Sequence, residues 1–213
     1  MQTQWSRRGY VIAHGLLDVS EAVEAMRTMF PPSEPHPVQD FGNSGEGEFP
    51  CNAALDRITV HPTLLKIVRK MLDTDHVLLT QSVAWRKDGG NGKNADQRMH
   101  IDAYNHYYGV PPTRPDMVAA IVYYSDTTET GGATAVVPQQ DGFDPVYSQA
   151  FAHMPGVCGI PFANPRKEAE DLMSVYAPES AKIREEAYEL EVQPDFKPGD
   201  VLFYRMDTWH RGT

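Results

Sequence analysis

The run Arg98-Met99-His100-Ile101-Asp102 places an imidazole and a carboxylate two residues apart. In an extended chain, residues i and i+2 project to the same face, so His100 and Asp102 converge on one point. Two such groups and one further histidine compose the 2-His-1-carboxylate facial triad of non-haem iron(II) oxygenases. Protein then fills only three of six metal positions, which leaves a face for a co-substrate and O2 together. An H-x-D arises readily by chance in a chain with eight histidines, and its plainer reading is a hydrogen-bonded surface pair. The run FKPGDVLFYRMDTWHRGT, residues 196–213, supplies the second element. His210 follows a turn, an apolar strand and a short polar step, which sets it at a strand end or in a loop, where a ligand can face a cavity. Alone it reads equally as a satisfied core histidine; beside the H-x-D it is the candidate third ligand. His106 competes for that place, but its spacing from Asp102 suits a helix and residues 102–108 show no helical pattern. Tyr104 and His106 otherwise read as a substrate rim, or as strand residues packing into the core.

The elements that must position these residues are short. Gly9 to Leu17 has the β-branched and aromatic mix of a strand. A helix follows over about 20–30, with Ser20 as N-cap and Val23, Met26 and Phe30 at helical spacing. Residues 31–50 read as a Pro- and Gly-rich loop, and Pro62 to Leu72 as a second helix with an apolar stripe. Strands are expected at Val77 to Arg86, Met117 to Tyr124, Ala133 to Pro138, Tyr188 to Val192 and Val201 to Tyr204. The second of these is apolar throughout, hence buried on both faces or part of a barrel wall. A helix is expected within 165–189, where Ala169, Leu172, Met173 and Tyr176 share a face and the acidic residues are solvated. The sum is mostly β with flanking α-helices: a sandwich or double-sheet jelly roll. The chain reads as a single domain over 1–213, helical to about 75 and jelly-roll from about 76. No G-x-G-x-x-G, P-loop or G-x-S-x-G is present.

Composition excludes several partners. With 29 acidic against 19 basic residues the net charge is −10, which argues against nucleic acid or an anionic membrane surface. No apolar run approaches the roughly 20 residues of a membrane helix, and no signal peptide is legible. The two cysteines, Cys51 and Cys158, lie far apart with no C-x-x-C. That leaves no disulfide framework or cysteine zinc site and fits a reduced, cytoplasmic compartment. The expected partner is a small-molecule substrate; the oligomeric state is open.

TQSVAWRK, MHID, SDTTETGGATAVVPQ and FKPGDVLFYRMDTWHRGT, in that order, resemble the phytanoyl-CoA dioxygenase family, as does the opening WSRRGYVIAHGLLDVSEAVEAM. The resemblance implies a double-stranded β-helix of cupin type and a reaction dependent on Fe(II), 2-oxoglutarate and O2. It implies His100, Asp102 and His210 as catalytic iron ligands, Gln81 and Trp85 facing cofactor or substrate, and Thr134 lining the same cavity. The implied reaction hydroxylates a C–H bond of a small molecule while 2-oxoglutarate is decarboxylated to succinate. Related halogenating enzymes carry a small residue where Asp102 stands, so its presence argues for hydroxylation or another oxidation.

Two departures from the family stand out. Pro138 is followed by Gln139 and Gln140 where the family often has Pro-Gly-Ser-His. The family also carries an arginine roughly ten residues beyond the distal histidine, gripping the far carboxylate of 2-oxoglutarate. That arginine and the last core strand have no counterpart here, and Arg211, beside His210, should point elsewhere. The expectation is a C-terminally shortened chain. The alternatives are a cupin-like hydrolase or isomerase using Zn or Mn at the same ligands, and a non-catalytic jelly-roll binding protein.

Overall fold

The structure is a computed structural model that describes residues 2–31, 47–84, 86, 97, 99–102, 117–139, 171, 174–175 and 178–213. The chain opens with helix α1 (Gln2–Arg8). Its last-turn arginines suit the negative end of the helix dipole, and Gly9, at φ +80°, ends it in the left-handed region. Strand β1 (Tyr10–Ala13) follows, then helices α2 (Ser20–Met29), α3 (Ala53–Thr59) and α4 (Pro62–Leu72). Helix α4 has the bounds its apolar spacing predicts. Pro62 opens it, the His61 ring accepts from the Thr63 amide, and Asp73 closes it in the left-handed region. Ser20 is not the α2 cap: Val19 occupies that position, and the Ser20 amide and hydroxyl both donate to Asp18.

Strands β2 (Val118–Val122) and β3 (Thr134–Val136) flank a one-turn helix, α5 (Thr127–Thr130). Helix α6 (Pro178–Leu190) leads to strands β4 (Val201–Arg205) and β5 (His210–Gly212). The described strands form an antiparallel sheet of order β1-β4-β2 and an antiparallel pair β3-β5.

Strand β4 is buried along its whole length, and alternation divides its side chains between two interiors. Val201 and Phe203 pack with Trp5, Val11 and residues of α2, α3 and α4. Leu202 and Tyr204 face the other way, toward Tyr10, Tyr123, Phe196 and Val136 of the facing pair. A third apolar cluster lies behind β3-β5, where Met99, Ile101, Val137 and Trp209 meet Ala187 and Ile183 of α6. The arrangement is layered: helices, sheet, interior, sheet, helix.

Three strand expectations are corrected. Residues 77–84 form no strand among the described residues beyond a single bridge at Val83, and Leu78 and Leu79 are exposed. Strand β2 is only half-buried, with Ala120 exposed, because it lies at the edge of its sheet among the described strands. Tyr188 to Leu190 continue α6 instead of starting a strand; only Val192 bridges, to Val136. Tertiary contact overrides the local preference of Tyr188 there: its hydroxyl accepts from the Met99 amide. Ala169, Leu172, Met173 and Tyr176 lie outside the described residues.

Candidate metal centre

The two halves of the triad are joined through the main chain. The His100 amide donates to the His210 carbonyl at 3.0 Å, and the His210 amide returns the bond at 2.9 Å. Such a reciprocal pair sets two residues directly opposite each other. The Asp102 amide donates to the Met206 carbonyl at 3.0 Å, which ties the carboxylate-bearing residue to the end of β4. His100 and Asp102 turn inward while Met99 and Ile101 fill the cluster against α6, as the i, i+2 reading expects. The same parity operates on β5: His210 faces inward opposite Val136, with Trp209 and Arg211 on the other side.

One ligand atom from each of His100, Asp102 and His210 lies within 4.8 Å of the others. His100 Nε2 is 3.8 Å from Asp102 Oδ1, and His210 Nε2 is 3.4 Å from Asp102 Oδ2. All three residues are at most 9% exposed. Burial opposes a charge on Asp102, yet His210, His100 and a hydrogen bond from Tyr204 outweigh it and hold the carboxyl far below its ordinary range. Burial likewise opposes a charge on His210, and Asp102 with the Thr208 carbonyl reverses that and raises its pKa. The cluster thus favours positive charge between its members, which a divalent cation supplies in place of a proton.

The donor set fits such a cation. His210 Nδ1 lies 2.9 Å from the Thr208 carbonyl, which can only accept, so Nδ1 carries the proton and Nε2 keeps its lone pair for a metal. Tyr204, buried on the inner face of β4, donates to Asp102 Oδ2 at 2.8 Å. Its ring lies 4.5 Å from that of His210, and the two imidazole centroids are 4.4 Å apart. Burial and the neighbouring Asp102 push the Tyr204 pKa well above its ordinary value, so the phenol keeps its proton as a donor.

A second layer holds the segment between Arg205 and His210. The Arg205 guanidinium donates to both Asp207 carboxylate oxygens, at 2.8 and 2.6 Å, to the Ser6 carbonyl at 2.7 Å and to Gln139. Gln139, the residue after Pro138, is buried here and donates to the Asp207 carbonyl. The Thr208 hydroxyl donates to the Gly9 carbonyl at 2.8 Å, and a Cβ on Gly9 would meet that hydroxyl oxygen at 2.5 Å. Behind β5, Arg211 pairs with Glu191 at 2.7 and 2.8 Å and lies over the Tyr188 ring, directed away from the triad as expected.

The structure therefore brings together His100, Asp102 and His210. Thr134 is buried on β3, at the same parity as Val136, and accepts from the Tyr123 hydroxyl at 2.8 Å. Gln81 is exposed on the irregular 77–84 segment. Trp85, Tyr104 and His106 lie outside the described residues. Sequence reasoning missed Tyr204 and the Thr208 carbonyl. The signal for Tyr204 was its parity with Leu202 in a strand apolar on both faces: a lone hydroxyl aimed into the interior.

The sequence model of the phytanoyl-CoA dioxygenase family (PhyH) matches residues 5–213. The chain belongs to the phytanoyl-CoA dioxygenase family. Solved structures share the fold of this family member at low identity. SnoN, a non-haem α-ketoglutarate-dependent epimerase from nogalamycin biosynthesis, is 17% identical with a TM-score of 0.56, over 99% of this chain and 72% of its own. EctD from S. alaskensis, in its apo form, is 16% identical with a TM-score of 0.58, over 100% of this chain and 69% of its own. HygX from Streptomyces hygroscopicus, with iron bound, is 15% identical with a TM-score of 0.55, over 100% of this chain and 79% of its own. The two facing sheets described above are consistent with the jelly-roll core of such oxygenases. No curated protein is matched. No helix among the described residues is long and apolar enough to cross a membrane.

Proposed function

We propose that this chain is an Fe(II)/2-oxoglutarate-dependent dioxygenase that hydroxylates a C–H bond of a small molecule. The observation that carries the reading is the buried approach of two imidazole nitrogens and one ionised carboxylate, with the second nitrogen of His210 committed to a backbone carbonyl. Solved neighbours support the cofactors: SnoN is described in complex with Fe3+ and α-ketoglutarate, and HygX with nickel and 2-oxoglutarate. EctD with 5-hydroxyectoine and SnoN with nogalamycin RO support a small-molecule substrate.

In this reading His100, Asp102 and His210 hold iron from one side and leave the other side open. Bound there, iron would supply O2 activation coupled to decarboxylation of 2-oxoglutarate to succinate. The chain's own contribution is orientation and exclusion of water. Thr208 fixes the His210 tautomer, Tyr204 holds one Asp102 oxygen, and the inner apolar residues Leu202 and Val136 keep the surroundings dry. Thr134 is proposed to line the cavity from β3. Tyr104 and His106 are proposed to border it by their chain positions just after the ligand pair, and Gln81 and Trp85 on the family resemblance of the segment that holds them.

Anaerobic addition of Fe(II) and then 2-oxoglutarate tests this. The expected result is a weak visible charge-transfer band that His100→Ala abolishes. Iron binding without a band would sink the 2-oxoglutarate part of the reading, and absence of iron binding would sink the metal centre itself.

A further inference from the structure

We propose that Tyr204 is a positioning residue for the metal: its hydroxyl captures one Asp102 oxygen, so that the carboxylate meets the cation through the other oxygen alone. The inference rests on the metal-centre reading above and concerns how many positions the protein occupies. A free carboxylate can turn about its terminal torsion and bind a cation through one oxygen or two. Two-oxygen binding would take a fourth position and leave only two, whereas a chelating co-substrate with O2 needs three.

The geometry opposes that rotation. The Tyr204 hydroxyl has one proton, and the bond to Asp102 Oδ2 at 2.8 Å uses it. Oδ1, on the side of His100, receives no hydrogen bond from Tyr204. The phenol itself cannot drift. The main chain of Tyr204 is paired on both sides, with Tyr10 of β1 and Ala119 of β2, and its ring lies against His210. The Asp102 amide is fixed to Met206, two residues beyond Tyr204, so donor and acceptor are set by one stretch of backbone.

Packing does not explain the hydroxyl. The surrounding cluster is formed by Tyr10, Tyr123, Val136, Phe196 and Leu202, and a phenylalanine would occupy the same apolar space without a buried polar atom. Among the described residues, the feature that distinguishes tyrosine there is the bond to a triad carboxylate.

Calorimetric titration with Ni(II) alone, without oxygen chemistry, tests the proposal on the metal-free protein. Tyr204→Phe is expected to bind Ni(II) about 10- to 100-fold more weakly, because the carboxylate is no longer held in its binding orientation before the metal arrives, with the thermal midpoint of the metal-free protein little changed. The loss should vanish in the Asp102→Ala background, where Tyr204→Phe adds less than about twofold, because the hydroxyl acts through that carboxylate. Affinity within about twofold of wild type in the single variant overturns the proposal. So does an equal loss in both backgrounds, and so does a Tyr204→Phe protein that fails to fold, since the hydroxyl would then serve the core. A wild-type protein that binds no Ni(II) overturns the metal-centre reading instead, and this inference with it.

Discussion

The two faces of β4 enclose two chemically different interiors. Toward the helices, Val201 and Phe203 meet Trp5, Val11, Leu17 and Leu64, an apolar layer that ends at the buried Arg205–Asp207 pair. Toward the facing strands, Leu202 and Tyr204 meet a layer that also holds Asp102 and His210. One five-residue strand thus serves as a wall between an oil-like layer and a polar one. The first layer supplies folding free energy through area removed from water, and hydrophobic residues of similar volume can serve it. The second spends burial on groups that need named partners, so it tolerates neither a missing donor nor a shifted backbone. Stability and metal affinity should therefore respond to different residues of the same strand.

Substitutions can break that separation or sharpen it. The largest effect is expected from Phe203→Ala, which should cost about 3–5 kcal/mol by denaturant unfolding. The fraction that remains folded should still bind Ni(II) with wild-type affinity; a large affinity loss would mean that the two layers are one. Gly9→Ala comes next, at about 2–3 kcal/mol. It places a side chain at φ +80° and against the Thr208 hydroxyl, so it should also weaken metal binding by loosening the turn that ends in His210. Calorimetry beside a thermal melt would separate the two consequences.

The smallest effect is a pH dependence that belongs to neither layer. The Asp200 carboxylate accepts from the Gly15 and Lys197 amides, at 2.7 and 3.0 Å, and contacts His14 Nδ1 at 3.0 Å. Burial would raise its pKa, but these partners outweigh burial and depress it. A carboxyl depressed in the folded state stabilises the protein above its unfolded value, about pH 4, and loses that stabilisation as pH falls through the folded value. Asp200→Asn should lower stability by about 1–2 kcal/mol at neutral pH. It should also flatten the loss below pH 4 in melts from pH 6 to pH 3. An unchanged acid slope would place the sensitive carboxylates elsewhere, with Asp102 the next to test.

What could be read from the sequence was whatever a short segment decides for itself. The i, i+2 geometry of His100 and Asp102, the bounds of α4, and the turn before β4 are local, and they stand in the structure as read. Residues 77–84 and Tyr188 misled because β-branched and aromatic residues express fit to neighbours more than backbone preference. The first stretch has no ladder among the described residues, and the second is held in a helix by contact with Met99. The contact of Arg205 with Ser6 and Gln139 was illegible for another reason. Its members are polar residues of unremarkable local context, brought together only when α1, the end of β3 and the β4–β5 turn have already met. Tyr204 lay between these cases: its direction was legible, its partner was not.

The pairing of β1 with β4 also bears on how the protein is made. The Thr208 hydroxyl reaches the Gly9 carbonyl across a sequence separation of 199. A chain emerging from the ribosome therefore carries β1, the early helices and the His100–Asp102 pair well before the strand that β1 needs as a neighbour. Contacts of such sequence separation form slowly, since the loop they close must be ordered first. Through that interval the nascent chain has an unpaired strand and only two of the three residues of the candidate metal centre, a state open to mispairing. The same delay has a protective side: a two-ligand half-site would grip metal weakly, so the proposed centre would fill only once the fold that selects its occupant is complete.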